Sequence, residues 1–159
     1  MKSVVILALG ATVIATTVSL AQPTGLPDSM NDYWSWIRLN INRYTDNPTG
    51  AHPQPKDVYI NLDQVDLLAA DGTTKLPFAD GTVVVKERND PDELLVDRLY
   101  MMEKIGGAWS YSFYDRQSSD TFGGEELGTA NFCADCHNGA EQDDFVFTQF
   151  QTRTMSGVE

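Results

Sequence analysis

Basic residues are scarce in this chain. Of 159 residues, 11 are Lys or Arg and 23 are Asp or Glu, for a formal net charge of −12. Nucleic-acid binding needs clustered cations that displace counterions, so that class is excluded. An anionic membrane surface is disfavoured on the same ground. Cysteine is nearly absent: two residues are too few for a disulfide-built scaffold. Histidine is equally rare, with two copies. Long apolar runs are missing after the first 21 residues, and nothing there reaches the ~20 residues that a membrane span requires. What remains is 42% hydrophobic and 10% aromatic, the composition of a folded globule rather than an acidic tail. The length suits one domain with a core of its own.

The start of the chain is unlike the rest. Lys2 is the only charge before Asp28, and Val4 to Val18 is apolar or small, broken by Gly10 and three threonines. Ser19 and Ala21 then sit three and one residues before a cut after Ala21. This order predicts a cleaved secretory signal over 1–21 and a mature domain over 22–159. The competing reading, a membrane anchor, is weakened by the shortness of the run and its Ala and Thr content. Removing Lys2 leaves 10 cations against 23 acids, a mature charge of −13. The expected destination is a bacterial periplasm, with no membrane association after cleavage.

Along the mature chain, Tyr33, Trp36, Ile37, Ile41 and Tyr44 fall at helical spacing behind a cap at Asp28 or Ser29. Val58 to Ile60 reads as a short strand, Leu62 to Ala70 as a short helix, and Ala79-Asp80-Gly81 as a turn. Thr82 to Arg88 is a strand with three consecutive valines. Leu94 to Lys104 and Trp109 to Tyr114 follow as strands around a Gly106-Gly107 hairpin signal. Gly123-Gly124 reads as a loop, and a short helix begins near Thr129. Phe145 to Phe150 is a last apolar segment. The expected fold class is α+β: a mainly antiparallel sheet packed with a few short helices.

Both cysteines lie in one pentapeptide, Cys133-Ala134-Asp135-Cys136-His137. This is the attachment pattern of a c-type haem. Two residues between the thiols let both sulfurs reach the two vinyl groups on one porphyrin edge. The imidazole that follows is carried under the iron as axial ligand. A disulfide or redox pair gives no reason for His137. Zinc needs about four ligands, and would consume both cysteines and both histidines. The sequence therefore predicts one covalently bound haem c, with Cys133 and Cys136 as its anchors and His137 on the iron. Met101 and Met102 lie upstream on a predicted strand, and Met155 is the only methionine beyond the motif. Read as core, the first two leave the iron an open face for a small ligand.

The chain resembles the cytochrome P-460 family, which includes cytochrome c′-beta. The likeness rests on Asp32 to Trp36, Asp57 to Asn61, the stretch from Phe78 through Ala79-Asp80-Gly81 to Lys86-Glu87, Trp109 to Tyr114, the haem motif, and Asp144 to Phe150, in that order. The resemblance implies an antiparallel sheet holding one pentacoordinate haem, in a homodimer. It implies that a lysine, here Lys86, is bonded to a meso carbon of the porphyrin. From the residues alone, Lys86 is a strand-end lysine sharing a face with Val84 and Thr82 and reaching solvent or Glu87. The resemblance also places Phe78 as a cap on the distal pocket, where core is the alternative.

The family's active members carry a carboxylate on the strand before the Trp109 hairpin, as proton acceptor for bound hydroxylamine. In this chain the expected registers place Val96, Leu99 or Tyr100 there, and a slip brings in Asp97 or Glu103. Asp97 is the catalytic candidate beside Lys86, with a solvated strand charge as the bland alternative. Two functions follow. One is oxidation of hydroxylamine, with electrons passing to an acceptor protein. The other is non-catalytic binding of NO or CO. A third reading is an electron carrier with Met101 or Met102 on the iron.

Overall fold

The computed structural model describes residues 23–43, 52, 54–90 and 95–151. The expected signal at 1–21, Tyr44 and Met155 lie outside them. Six strands form one antiparallel sheet in which each strand bonds to the next in chain order. They are β1 (Ile37–Arg38), β2 (Lys56–Ile60), β3 (Val83–Asn89), β4 (Val96–Ile105), β5 (Ala108–Arg116) and β6 (Phe122–Gly128). Two helices accompany them, α1 (Gln64–Leu67) and α2 (Phe132–His137), with short 3-10 turns. The architecture is the α+β arrangement that the sequence implies. Among the described residues, no helix is long and apolar enough to cross a membrane.

Alternation along the strands gives the sheet two different faces. On one, Val83, Val85, Leu99, Met101 and Tyr114 pack with Met30, Tyr33 and Phe122. On the other, Val58, Ile60, Val84, Met102, Trp109 and Tyr111 form a second core with Leu39, Leu67, Phe78 and Val146. The second face is organised in cross-strand rows. Val58, Lys86, Tyr100, Phe113 and Glu125 stand side by side on five successive strands. Ile60, Val84, Met102 and Tyr111 form the next row.

Three expectations are corrected. The segment after Asp28 is not a continuous helix. It makes two 3-10 turns, Asp28–Met30 and Tyr33–Ser35, and then enters the sheet as β1. Asp32 takes a left-handed backbone conformation between the turns (φ 56°). Burying Met30 and Tyr33 under the sheet, and pairing Ile37 with Ile60, outweighs the helical spacing. The helix expected over Leu62 to Ala70 shortens to the single turn of α1. Gly123 and Gly124, expected in a loop, are strand residues of β6. A Cβ on Gly124 would lie 2.2 Å from both the Phe113 carbonyl oxygen and the Tyr114 ring. The glycine is there because the two strands approach too closely for any side chain.

Glu87 faces the first core, buried, and accepts a hydrogen bond from the Tyr33 hydroxyl at 3.0 Å. Burial raises its carboxyl above the ordinary value, against the lowering effect of the Tyr33 bond. The folded chain therefore holds this proton more tightly than the unfolded chain does. The resulting stability is full below the unfolded carboxyl range and is lost as pH rises through the raised folded value. Glu87→Gln keeps an acceptor for Tyr33 and never ionises. It is expected to raise the urea midpoint at about pH 7 and to change it little near pH 4. A lower midpoint at pH 7 would show that the carboxylate, not the acid, suits this site.

Candidate functional site

The haem motif is presented by α2. Asn131 caps this helix: its Oδ1 accepts from the backbone N–H of Cys133 at 2.7 Å and of Ala134 at 3.2 Å. Cys133 and Cys136 are three residues apart on the helix, and so on one side of it. Neither is in a disulfide. Burial pushes the Cys133 thiol above its ordinary value, while the Lys86 charge pulls the other way.

His137 ends the helix with its ring held between aromatics, 5.3 Å from Tyr111 and 5.2 Å from Phe147 between centroids. Its Nδ1 lies 2.7 Å from the Phe145 carbonyl oxygen. A carbonyl only accepts, so Nδ1 carries the proton and Nε2 keeps its lone pair. Burial lowers the imidazole's proton affinity, the Phe145 bond works against it, and the nearby Lys86 charge adds a smaller lowering. The neutral ring this favours is the form that binds a metal.

These groups open on a cavity of about 1190 Å³. The sheet supplies Lys86, Tyr100, Met102 and Tyr111, α2 supplies Cys133, Cys136 and His137, and the chain from Val146 to Gln151 closes another side. The volume lies above the roughly 300–1,000 Å³ usual for small-ligand sites, which suits a macrocycle. Two thiols, an imidazole with Nε2 available, and a mostly apolar wall fit a haem joined by thioethers at Cys133 and Cys136, with iron on His137. They do not fit the zinc alternative. Among the described residues, no group of three or more His, Cys, Asp and Glu is gathered to hold a metal ion.

Lys86 projects from β3 into the cavity wall, as its alternation with Val84 requires. Its ammonium lies 5.5 Å from the Tyr100 ring centroid. It is near enough to act electrostatically on both Cys133 and His137. The row of Val58, Lys86 and Tyr100 thus brings the lysine and the haem motif, 47 positions apart between Lys86 and Cys133, to one space.

Two candidates stand elsewhere. Phe78 packs edge-to-face on Trp109 with centroids 6.1 Å apart, in the core beside the cavity and not in its lining. Asp97 falls at a bulge. Arg88 pairs with Arg98 and Asn89 with Val96, which leaves Asp97 out of the ladder. Its carboxylate is gripped by Arg88, Nε to Oδ1 at 2.8 Å and Nη2 to Oδ2 at 2.6 Å, and it does not line the cavity. Glu103 points to the other face, where it accepts from Ser29 Oγ at 3.5 Å.

The carboxylate among the cavity's lining residues is Glu125, at the end of the Lys86 row. Reading Gly123-Gly124 as a loop hid it. Alternation along β6 would have put Glu125 and Leu127 on the cavity side. His52 is a second lining residue without a sequence signal, its ring 4.4 Å from that of Tyr100.

The family model for Cytochrome P460 matches residues 30–148. No curated protein matches the chain.

Proposed function

The chain belongs to the cytochrome P460 family, and from that premise we propose an exported c-type haem protein that oxidises hydroxylamine at a lysine-linked haem. The carrying observation is that one cavity holds Cys133, Cys136, His137 and Lys86 together. When bound, the haem supplies an iron that takes hydroxylamine nitrogen and passes electrons outward. Two hydroxylamines then give nitrous oxide and water, with four protons and four electrons to remove. The electrons go to an external acceptor protein. The acidic mature chain, at −13 once Lys2 is gone, favours a basic one.

The chain's own part is division of labour. Cys133 and Cys136 fix the macrocycle's edge. His137 would hold the iron through Nε2, its ring aimed by the Phe145 carbonyl. Lys86 tunes the macrocycle from the sheet. Proton removal falls to Glu125, the acid placed in the wall, rather than to Asp97, which is committed to Arg88. Export rests on the leader pattern over 1–21, and a homodimer is proposed from the family alone.

One observation favours a second reading, a binder of NO or CO. The wall is mostly apolar, and its acid is an exposed residue at the end of the row. Glu125→Gln separates the two. If Glu125 is the base, the variant keeps its haem and its CO affinity but loses roughly 10²–10⁴-fold in hydroxylamine-dependent reduction of an added acceptor. Native protein that binds CO and gives no such reduction sinks the enzyme reading and leaves the gas binder.

A further inference from the structure

Behind the histidine lies a buried charge that the proposed reaction does not use. Asp144 sits just after the last 3-10 turn, buried, with three donors converging on it from separate parts of the chain. Lys104 Nζ on β4 reaches Oδ2 at 2.6 Å. The backbone N–H of Phe78 donates to the same oxygen at 2.8 Å. Trp109 Nε1 on β5 donates to Oδ1 at 3.4 Å. Lys104 is itself buried, its ammonium 5.5 Å from the Trp109 ring centroid. A buried ion pair with this much hydrogen bonding has few alternative arrangements.

What the pair holds is an unusual turn. Asp144 (φ 51°) and Phe145 (φ 67°) are consecutive non-glycine residues in the left-handed region. Side chains with a Cβ stay there only when their surroundings over-determine the backbone. The surroundings here are the three donors on Asp144, together with the Phe145 N–H, which donates to the Ala140 carbonyl at 2.8 Å. The product of the turn is the direction of one carbonyl, that of Phe145, which meets His137 Nδ1 at 2.7 Å.

We propose that Asp144 is a positioning residue for the proximal histidine. Its ion pair with Lys104 locks the left-handed turn that presents the Phe145 carbonyl to His137, and so sets how strongly the imidazole donates to iron. The inference rests on reading His137 as the axial ligand, and not on hydroxylamine as substrate. A histidine ligand's partner at its other nitrogen fixes the ring and raises its basicity. Here that partner is a backbone carbonyl, which no side-chain substitution removes directly. The control point is therefore one residue back.

The test uses haem-loaded native protein and the variants Asp144→Asn and Lys104→Met, each reduced and free of added ligand. The readouts are the iron–histidine stretching band by resonance Raman and the reduction potential, with urea midpoints alongside. Both variants are expected to lower the band frequency and raise the potential. Arg88→Met, which breaks a different ion pair of the sheet, is expected to leave band and potential where they were. A band at the native frequency in Asp144→Asn, whatever its urea midpoint, overturns the proposal and leaves Asp144 a stabiliser only. Should neither variant yield folded holoprotein, Lys104→Arg keeps the charge but displaces it, and carries the same expectation with a smaller shift. An unchanged band there overturns the proposal equally. Native protein lacking the band overturns both this inference and the haem reading. Native protein with the band but without hydroxylamine turnover overturns the proposed reaction alone.

Discussion

Replacing Cys133 and Cys136 together by Ser is expected to abolish covalent haem completely, since a macrocycle that no thioether holds is not kept against Lys86 for the lysine bond to form. Native protein, exported by a host with cytochrome maturation machinery, should carry the mass of its polypeptide plus one haem and stay coloured after acid–acetone extraction. The double variant should weigh what its amino acids weigh and extract colourless. The expectation follows from the geometry of α2. Its Asn131 cap holds the first turn, so both thiols leave the helix on one side and at one wall of the cavity. A single substitution leaves one sulfur in place and should retain haem through one thioether. His137→Ala should behave differently again, keeping the covalent mass while losing the axial ligand. The double variant should also melt lower, since a group that binds only the folded chain stabilises it by mass action. Native protein without the added mass would remove the premise of the site.

The parts legible in the sequence are those in which chemistry or sterics act over a few neighbouring residues. The cysteine–histidine spacing is contiguous, so the pattern Cys133–His137 is visible in the sequence alone, and the structure adds that its three side chains line one cavity. Three valines before Lys86 announced β3, and alternation put Lys86 with Val84, the pair found together in the wall. What was hidden depended on the partner strand. Gly123-Gly124 has the composition of a loop, and only the approach of Phe113 and Tyr114 makes it strand. Asp97 alternates with Leu99 in an ideal strand, but a bulge opposite Arg88 takes it out of phase. The helical spacing of Tyr33, Trp36 and Ile37 is genuine, yet burial beneath the sheet decides that segment. Asp144 opens the last stretch of the family likeness, but its buried ion pair was hidden, because its donors lie 35 to 66 positions away.

Lys86→Leu is expected to change digest pattern, spectrum and rate together while leaving the haem attached. Lys86 stands in the middle of the second face, between Val58 and Tyr100 in register. A lysine there is half-buried in a mostly apolar wall, and Leu would fill the same place on the strand. Its presence is explained if the amine is used. A bond from Nζ to a porphyrin meso carbon removes one hydrogen from each atom, so two electrons must pass to an external oxidant such as a peroxide. Given that step, a tryptic digest of native protein should contain a branched species joining the Lys86 segment, the haem and the Cys133–His137 segment. The Leu variant should yield the haem peptide alone, at a shifted optical maximum. Hydroxylamine-dependent acceptor reduction should fall about 10–100-fold, the range for losing a group that tunes a bound metal, while CO binding survives. Lys86→Arg separates bond from charge, since it restores the cation over Tyr100 without an amine able to form the same link. If Arg matches Leu in mass pattern, spectrum and rate, the covalent bond is what counts. If Arg restores native rate, the charge suffices and the lysine acts through space on His137. Native and Leu digests that differ only by the substituted residue would dismiss the bond, and with it the main reason to place hydroxylamine oxidation ahead of plain gas binding.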